Sequence, residues 1–402
     1  MQNRDQGAQL SSLVQSLKGQ MQVVLVCISH SWGGLEQVTA EDSIALAEQG
    51  LSVRVLCLQG SPLDRHLSAA RSSVQVVPID FTPRNYFDLK FKTKLDDLIQ
   101  SGVNLIHTHQ TSLLGSIVPW LWRHRSVGLL ATRHIMNSHN KKDILHRAVY
   151  SRLDSLVVMS QALRENVLET HALPERRVKV IHLGLDLEEF SPHRVFGENF
   201  RSQWGADEDC IVIGLVGRVD PAKGQATFLR AAATLLRGLE EKKKKIRFVI
   251  VGEETLGSSL NYLQELKRMV TQLQLESYVI FAGYQDHVPA VMQSLDIVVM
   301  PSRQEAFGLV AIEAMAMECP VVISNGGSAL EIVGHSEYGL VMRPDDAFDL
   351  QRQLKYLLDH PEERKKMGQR ARQFVRSRYD RQQRLTKTLA LYEKILRKRR
   401  AL

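Results

Sequence analysis

Two glutamates stand eight residues apart in the run Pro301-Ser302-Arg303-Gln304-Glu305-Ala306-Phe307-Gly308-Leu309-Val310-Ala311-Ile312-Glu313-Ala314-Met315-Ala316. An apolar stretch, residues 295–300, precedes this run and Gly326-Gly327 follows it. The pattern reads as a buried strand, a turn that carries Glu305, and a helix that carries Glu313. A strand-to-helix turn leaves backbone N–H groups without partners, and a helix N-terminus favours an anion. Anion-binding amides flanked by two carboxylates suit a ligand that is part phosphate and part polyol. A nucleotide sugar is such a ligand.

A second turn supplies cations. In Gly214-Leu215-Val216-Gly217-Arg218-Val219-Asp220-Pro221-Ala222-Lys223-Gly224, Arg218 and Lys223 flank the passage from a strand to a helix. An isolated pair of this kind is ordinary solvated surface. At the carboxyl end of the first strand of a domain it becomes a diphosphate clamp, because ligands of open α/β sheets bind at that edge. The turn fits neither the Walker pattern nor G-x-G-x-x-G, which argues against a P-loop ATPase and against a nicotinamide enzyme. A retaining glycosidase also uses two glutamates, but needs them about 5 Å apart. Eight residues of unbroken helix would separate Glu305 and Glu313 by about 12 Å, and the clamp would have no purpose.

These turns need a sheet to hold them. Near-continuous apolar runs at 22–29, 52–58, 74–79, 103–107, 127–132, 155–159 and 178–182 read as strands of a parallel sheet covered on both faces. Helical patterns such as 35–49 and 87–101 lie between them. A second series of strands falls at 210–216, 246–251, 278–282, 295–300, 320–323 and 339–342. The expected architecture is therefore α/β, two Rossmann-like doubly wound parallel-sheet domains facing across a cleft. Residues 1–20, where Leu10, Leu13, Val14 and Leu17 show helical spacing, read as an N-terminal leader, frayed or a short packing helix, rather than a membrane anchor, and 21–190 as the first domain. A linker follows at 191–209, where Pro192, Gly197, Gly205 and an acidic cluster break the alternation. The second domain spans 210–375, and a basic C-terminal helix, 376–402, is expected to cross back to the first.

Bulk properties narrow the class. A chain of 402 residues exceeds the usual size of a single core. No apolar run approaches the length of a membrane span. Cys27, Cys57, Cys210 and Cys319 lie in or beside apolar segments with no C-x-x-C, as buried thiols of a reducing cytoplasm do. The net charge of +8 is partly gathered in Lys394, Arg397, Lys398, Arg399 and Arg400. That end reads either as a solvated helix terminus or as a weak attraction to an anionic membrane surface. No basic segment is interleaved with aromatics, so nucleic acid is not an expected partner.

Several of these motifs, in this order, resemble the donor domain of glycosyltransferase family 4: Gly217-Arg218…Lys223-Gly224, Glu305-Ala306-Phe307-Gly308-Leu309…Glu313-Ala314, and Gly326-Gly327…Glu331-Ile332-Val333…Gly339-Leu340-Val341. The match spans roughly residues 210–345. In the first half, Gly33-Gly34-x-Glu36 resembles the family's acceptor-side loop. Ala131-Thr132-Arg133-His134 and Val157-Val158-Met159-Ser160 resemble the region of its catalytic histidine. Val180-Ile181-His182-Leu183-Gly184-Leu185-Asp186 through Phe190 resembles its hinge, although His182-Leu183 stand where Pro-Asn is usual. The resemblance implies the GT-B fold and a retaining reaction. It implies that Glu313 binds the ribose hydroxyls, that Glu305 holds hydroxyls of the transferred sugar, and that the amides of Phe307, Gly308, Leu309 and Val310 meet sugar and phosphate beside Gly217.

His134 ends a strand at the carboxyl edge beside Arg133, which suits a hydrogen bond to the donor sugar and the steadying of developing charge rather than general-base work. His107 and His109 also end a strand. Their spacing suggests a metal, but no third ligand is evident, and cleft lining is the better reading. Asp207-Glu208-Asp209 fits the D-x-D of metal-dependent transferases but lies far from any glycine-rich turn, so it reads as solvated loop. The sequence thus points to a metal-independent hexosyltransferase with no cofactor beyond its nucleoside-diphosphate sugar. The acceptor would be a cell-envelope glycan or a lipid-linked group such as lipopolysaccharide core, and the place the cytoplasm, at the inner face of the membrane. The alternatives are a sugar-nucleotide epimerase on the same fold and a catalytically silent scaffold.

Overall fold

The computed structural model describes residues 2–83, 86–194, 196–197, 200–239, 245–254 and 261–401. Its contacts divide the chain into two units, Met1–Gly184 with Arg381–Leu402, and Leu185–Asp380. In the first, the apolar runs form β1 (Gln22–Cys27), β2 (Ser52–Leu58), β3 (Gln75–Ile79), β4 (Leu105–Thr108), β5 (Gly128–Arg133), β6 (Ser155–Val158) and β7 (Val178–Val180). They pair in parallel in the order β3-β2-β1-β4-β5-β6-β7. The second unit holds β8 (Ile211–Val216), β9 (Ile246–Val251), β10 (Val279–Gly283), β11 (Ile297–Met300), β12 (Val321–Ser324) and β13 (Leu340–Met342). Their order, β10-β9-β8-β11-β12-β13, repeats the same winding.

The thirteen strands expected from the sequence are all present. β4, β5, β6, β11 and β12 are buried along their whole length, because helices cover both faces of each sheet. In each sheet the strand order reverses once, between β1 and β4 and between β8 and β11. Loops leaving the carboxyl ends of strands on either side of that reversal splay apart and leave room for a ligand.

Of the terminal and linking segments, residues 1–20 take the packing-helix reading: the helix Gln2–Leu17 places Leu10 and Leu17 in one core with Leu389, Tyr392 and Ile395 of the last helix, Arg381–Arg400. The segment expected as a linker at 191–209 is built into the second unit. There Phe200 and Trp204 are buried and stacked, and Arg201 bonds the Asp296 carboxylate at 2.9 Å. The division of the chain falls earlier, between Gly184 and Leu185.

Of the C-terminal cations, Lys394, Arg397, Lys398 and Arg400 are exposed, as a solvated helix terminus would have them, and Arg399 is built into the first unit. Arg399 is buried and donates from Nε to both Asp154 oxygens, at 3.1 and 2.9 Å, and from Nη1 and Nη2 to the Arg125 and Arg152 carbonyls. Lys398 bonds Asp154 at 3.1 Å, and Arg400 bonds Gln20. Asp154 itself is buried, and its second oxygen also accepts the Leu129 N–H. Removing one partner of a buried pair strands the other charge. Arg399→Ala should therefore cost about 2–3 kcal/mol in urea unfolding, at the low end for such pairs because Lys398 remains. Lys394→Ala, at an exposed position, should shift stability by less than about 0.5 kcal/mol. Equal effects of the two substitutions would refute the latch.

Candidate active site

In the second unit the cationic turn leaves β8 and the glutamate loop leaves β11, on the two sides of the strand-order reversal. Gly217 turns the chain at φ +146°, with its N–H held by the Val251 carbonyl. The Asp220 carboxylate caps a single 3-10 turn, Pro221–Lys223, by accepting the Ala222 N–H. Gly224 then opens the helix Gln225–Arg237 at φ +78°, where a Cβ would lie 2.3 Å from the Pro301 carbonyl oxygen. Only glycine permits that approach. The Arg303 N–H bonds the Ala222 carbonyl across the same gap. With the two loops this close, Lys223 Nζ donates to Glu305 Oε2 at 2.9 Å, both side chains being half-buried. Arg218 is more exposed, 3.9 Å from Asp220.

Glu305 is fixed through its backbone. It forms a parallel bridge with Gly327: its N–H donates to the Gly326 carbonyl and its own carbonyl accepts the Ser328 N–H. Gly327, at φ +84°, would place a Cβ 2.0 Å from the Glu305 carbonyl oxygen. Ser328 Oγ donates to the Phe307 carbonyl at 2.7 Å. The Phe307 ring is buried edge-on against Tyr379, so what it can offer a ligand is backbone. Gly308, at φ +88°, starts the helix Leu309–Ala316, and the Ala311 and Ile312 N–H groups turn back onto its carbonyl. The amides just ahead, at Leu309 and Val310, have no carbonyl one turn earlier in the helix. Glu313 stands half-buried in the second turn, between the buried Ile312 and Ala314.

The helix therefore begins four residues after Glu305, so the full-helix spacing of the two glutamates does not hold. The case against a glycosidase rests instead on the Lys223–Glu305 pair and the cationic turn, for which a neutral glycoside has no use.

In the first unit Gly33 precedes the helix Gly34–Glu48, and the buried Glu36 caps it by accepting the Gly33 N–H at 2.9 Å. Gly33 is extended, and a Cβ on Gly34 would meet nothing within 4 Å. Neither glycine is required by the fold, and their bare backbone stands at the carboxyl end of β1.

His134 follows β5, and its Nε2 lies 3.3 Å from His109 Nδ1. His109 stacks on His107 with 4.4 Å between ring centroids. Both His107 nitrogens are bonded, Nδ1 to Tyr392 Oη and Nε2 to Thr132 Oγ1, each at 2.7 Å. His109 Nε2 stands 3.8 Å from Asp42 Oδ2, and Arg384 grips Asp42 with two bonds, at 2.8 and 2.5 Å. Desolvation pushes the pKa of all three histidines down, and with the Arg384 charge it takes His134 to about 3. At neutral pH His134 is an uncharged imidazole and a weak base.

One expectation about this region needs correction. His107 and His109 line no surface: both are buried, and His107 has no nitrogen to spare. Asp207-Glu208-Asp209 is an exposed loop, as expected, with Asp209 paired to Lys245. Among the described residues no three His, Cys, Asp or Glu are grouped to hold a metal ion. All four cysteines are buried thiols. Asp42, Arg384 and Tyr392 were not foreseen. Their partners lie hundreds of residues away in sequence, and no local pattern marks them.

Comparison with known proteins agrees with this arrangement. Residues 197–374 match the family model "Glycosyl transferases group 1", and residues 32–189 match "Glycosyltransferase Family 4". A D-inositol 3-phosphate glycosyltransferase from Corynebacterium urealyticum is 27% identical over 391 residues, covering 90% of this chain and 91% of that protein. Among solved structures, a glycosyltransferase from Rickettsia africae superposes with a TM-score of 0.83 at 20% identity, covering 94% of this chain and 99% of the other. The HepE protein of Anabaena, in complex with UDP, superposes with a TM-score of 0.78 at 20% identity, over 95% and 100%. With two doubly wound parallel sheets and a glycosyltransferase family match on each, the chain belongs to the family-4-like glycosyltransferases of GT-B fold.

Proposed function

We propose that this glycosyltransferase moves a hexose from a nucleoside-diphosphate sugar to an acceptor hydroxyl, with retention of anomeric configuration and without a divalent metal. The observation that carries the reading is the Lys223–Glu305 pair beside the amides at Leu309 and Val310, at the reversal point of the second sheet. Departure of the diphosphate builds negative charge on its bridging oxygen. Arg218, Lys223 and the helix amides stabilise that charge more in the transition state than in the ground state. They thereby take the part a metal plays in other transferases. Glu313 holds the ribose and Glu305 the transferred sugar. The leaving phosphate takes the acceptor proton on the same face. His134, neutral, gives a hydrogen bond to substrate. The UDP complex of the Anabaena protein supports a uridine donor.

For the acceptor we favour a cell-envelope glycan or lipid-linked group reached at a membrane surface. The support lies in the first unit, where Phe87, Leu89, Ile135, Ile144 and Leu145 are each at least half exposed. Lys90, Lys141, Lys142 and Arg147 stand next to them in sequence. Exposed apolar side chains with cations beside them in sequence suit an anionic lipid interface, whereas the C-terminal cations have no exposed apolar residue among them.

Transfer from UDP-hexose, assayed in excess chelator, should fall about a hundredfold in Arg218→Ala and in Lys223→Ala with folding intact. Glu313→Gln should mainly weaken UDP binding in calorimetry, and Glu305→Gln should mainly lower turnover. Rates within a few-fold of wild type in both cation variants, or activity abolished by the chelator and restored by Mn²⁺, would refute the mechanism.

The membrane reading is checked separately by sedimentation with phosphatidylglycerol-containing vesicles. The double variant Ile144→Glu, Leu145→Glu should bind at least about tenfold more weakly than wild type, since each lost apolar contact is worth about 1.5 kcal/mol or more. Equal binding, or no binding by wild type, would overturn it.

A further inference from the structure

We infer that His109 is a positioning residue that fixes the proton on His134 Nε2, so that His134 presents a bare Nδ1 as a hydrogen-bond acceptor to substrate. The inference rests on the reading that His134 meets substrate, and goes beyond it by assigning the direction of that hydrogen bond. Two neutral imidazoles 3.3 Å apart share one proton: either His134 Nε2–H donates to His109 Nδ1, or the reverse. The choice is set on the far side of His109. Its Nε2 is buried without a hydrogen-bond partner, and it faces Asp42 Oδ2 at 3.8 Å. With the proton on Nε2, an N–H dipole points at a carboxylate. With the proton on Nδ1, a lone pair points there instead. Coulomb attraction in a water-poor interior selects the first arrangement. His109 Nδ1 is then a lone pair, which accepts from His134 Nε2–H. A neutral histidine carries one proton, so His134 Nδ1 is left bare.

The carboxylate that sets this direction cannot turn away. Arg384, on the last helix of the chain, holds both Asp42 oxygens. Nor can the His109 ring swing aside. It stacks on His107, which Tyr392 of the same helix and Thr132 of β5 hold from its two nitrogens. Desolvation of the three rings, reinforced at the half-buried His134 by the Arg384 charge, keeps the row neutral. A bare Nδ1 accepts a proton from a sugar or acceptor hydroxyl and offers none to an oxygen lone pair. The histidine thus selects a hydroxyl over a substituent without a proton at that point of the substrate.

Histidine tautomers are read directly from two-bond ¹H–¹⁵N correlations on protein labelled at histidine. The His134 signals are assigned by their loss in His134→Gln. Wild type at pH 7.5 should show His134 with its proton on Nε2. In His109→Phe, which has no acceptor, that signature should give way to a mixture, and turnover should fall about tenfold or more with KM little changed. His109→Gln, whose amide oxygen can accept the same hydrogen bond, should restore both in part. Should His109→Phe fail to fold, Asp42→Asn serves instead: its amide can donate to His109 Nε2 and should reverse the chain, moving the His134 proton to Nδ1. A wild-type proton on Nδ1, or a tautomer unmoved in the variant that folds, overturns the inference. Full transfer activity in His134→Gln would instead refute the underlying role of His134 and leave the tautomer result standing.

Discussion

Two close approaches of backbone to backbone in the second unit govern the geometry of its candidate site. Glu305 leaves β11 on a loop, and a carboxylate on a loop has no fixed direction of its own. Here the loop is pinned on both sides. Gly224 lets the cationic turn lie against Pro301, and Gly327 lets a second loop bridge Glu305 itself. Any side chain at either glycine would overlap a carbonyl oxygen. The 2.9 Å contact between Lys223 and Glu305 follows from those two approaches and from nothing in the two side chains alone. Preorganisation of charge is thus achieved at the level of the main chain, where it costs little to maintain.

The first unit reaches order at its sheet edge by a different route. Its histidines are neutral, buried at 107 and 109 and half-buried at 134, and two of the residues that hold the row, Arg384 and Tyr392, come from the far end of the sequence. The final helix closes the core with the N-terminal helix, ties down Asp154 through Arg399, and sends Arg384 and Tyr392 to the histidine row. A single element therefore links the stability of the unit to the geometry at His134. One unit gathers cations at its sheet edge, and the other gathers uncharged rings.

The parts that were legible in the sequence are those set by local physics. Apolar runs with helical stretches between them gave thirteen strands and two doubly wound sheets, because a parallel sheet buried on both faces leaves little choice of residue. Glycines with positive φ at 217, 224, 308 and 327 marked the turns. The rest depends on distant pairs. Asp42 and Arg384 are 342 residues apart, and nothing near Asp42 distinguishes it from a solvated helix carboxylate. The basic C-terminus was legible only in part for the same reason: its exposed cations are those of a solvated helix terminus, but Arg399 is buried on Asp154, 245 residues away in sequence. The glutamate spacing misled because sequence does not show where a helix begins. Gly308 was the available signal, since a left-handed residue is a natural boundary.

The Lys223–Glu305 pair also answers a conflict within the proposed reaction. A carboxylate that holds sugar hydroxyls must sit within a few ångströms of a diphosphate. Unshielded, two unit charges 5 Å apart at an effective dielectric of 20 repel by about 3 kcal/mol, enough to weaken binding more than a hundredfold. Lys223 lies between these demands. Paired with Glu305 it cancels the carboxylate charge as seen from the phosphate, while leaving the second oxygen, Oε1, to accept from hydroxyls. Arg218, more than half exposed and 3.9 Å from the Asp220 carboxylate, is the cation that the proposed reaction leaves to meet the diphosphate. In that proposal the two cations of one turn divide the work, one neutralising the site's own acid and the other meeting the ligand's.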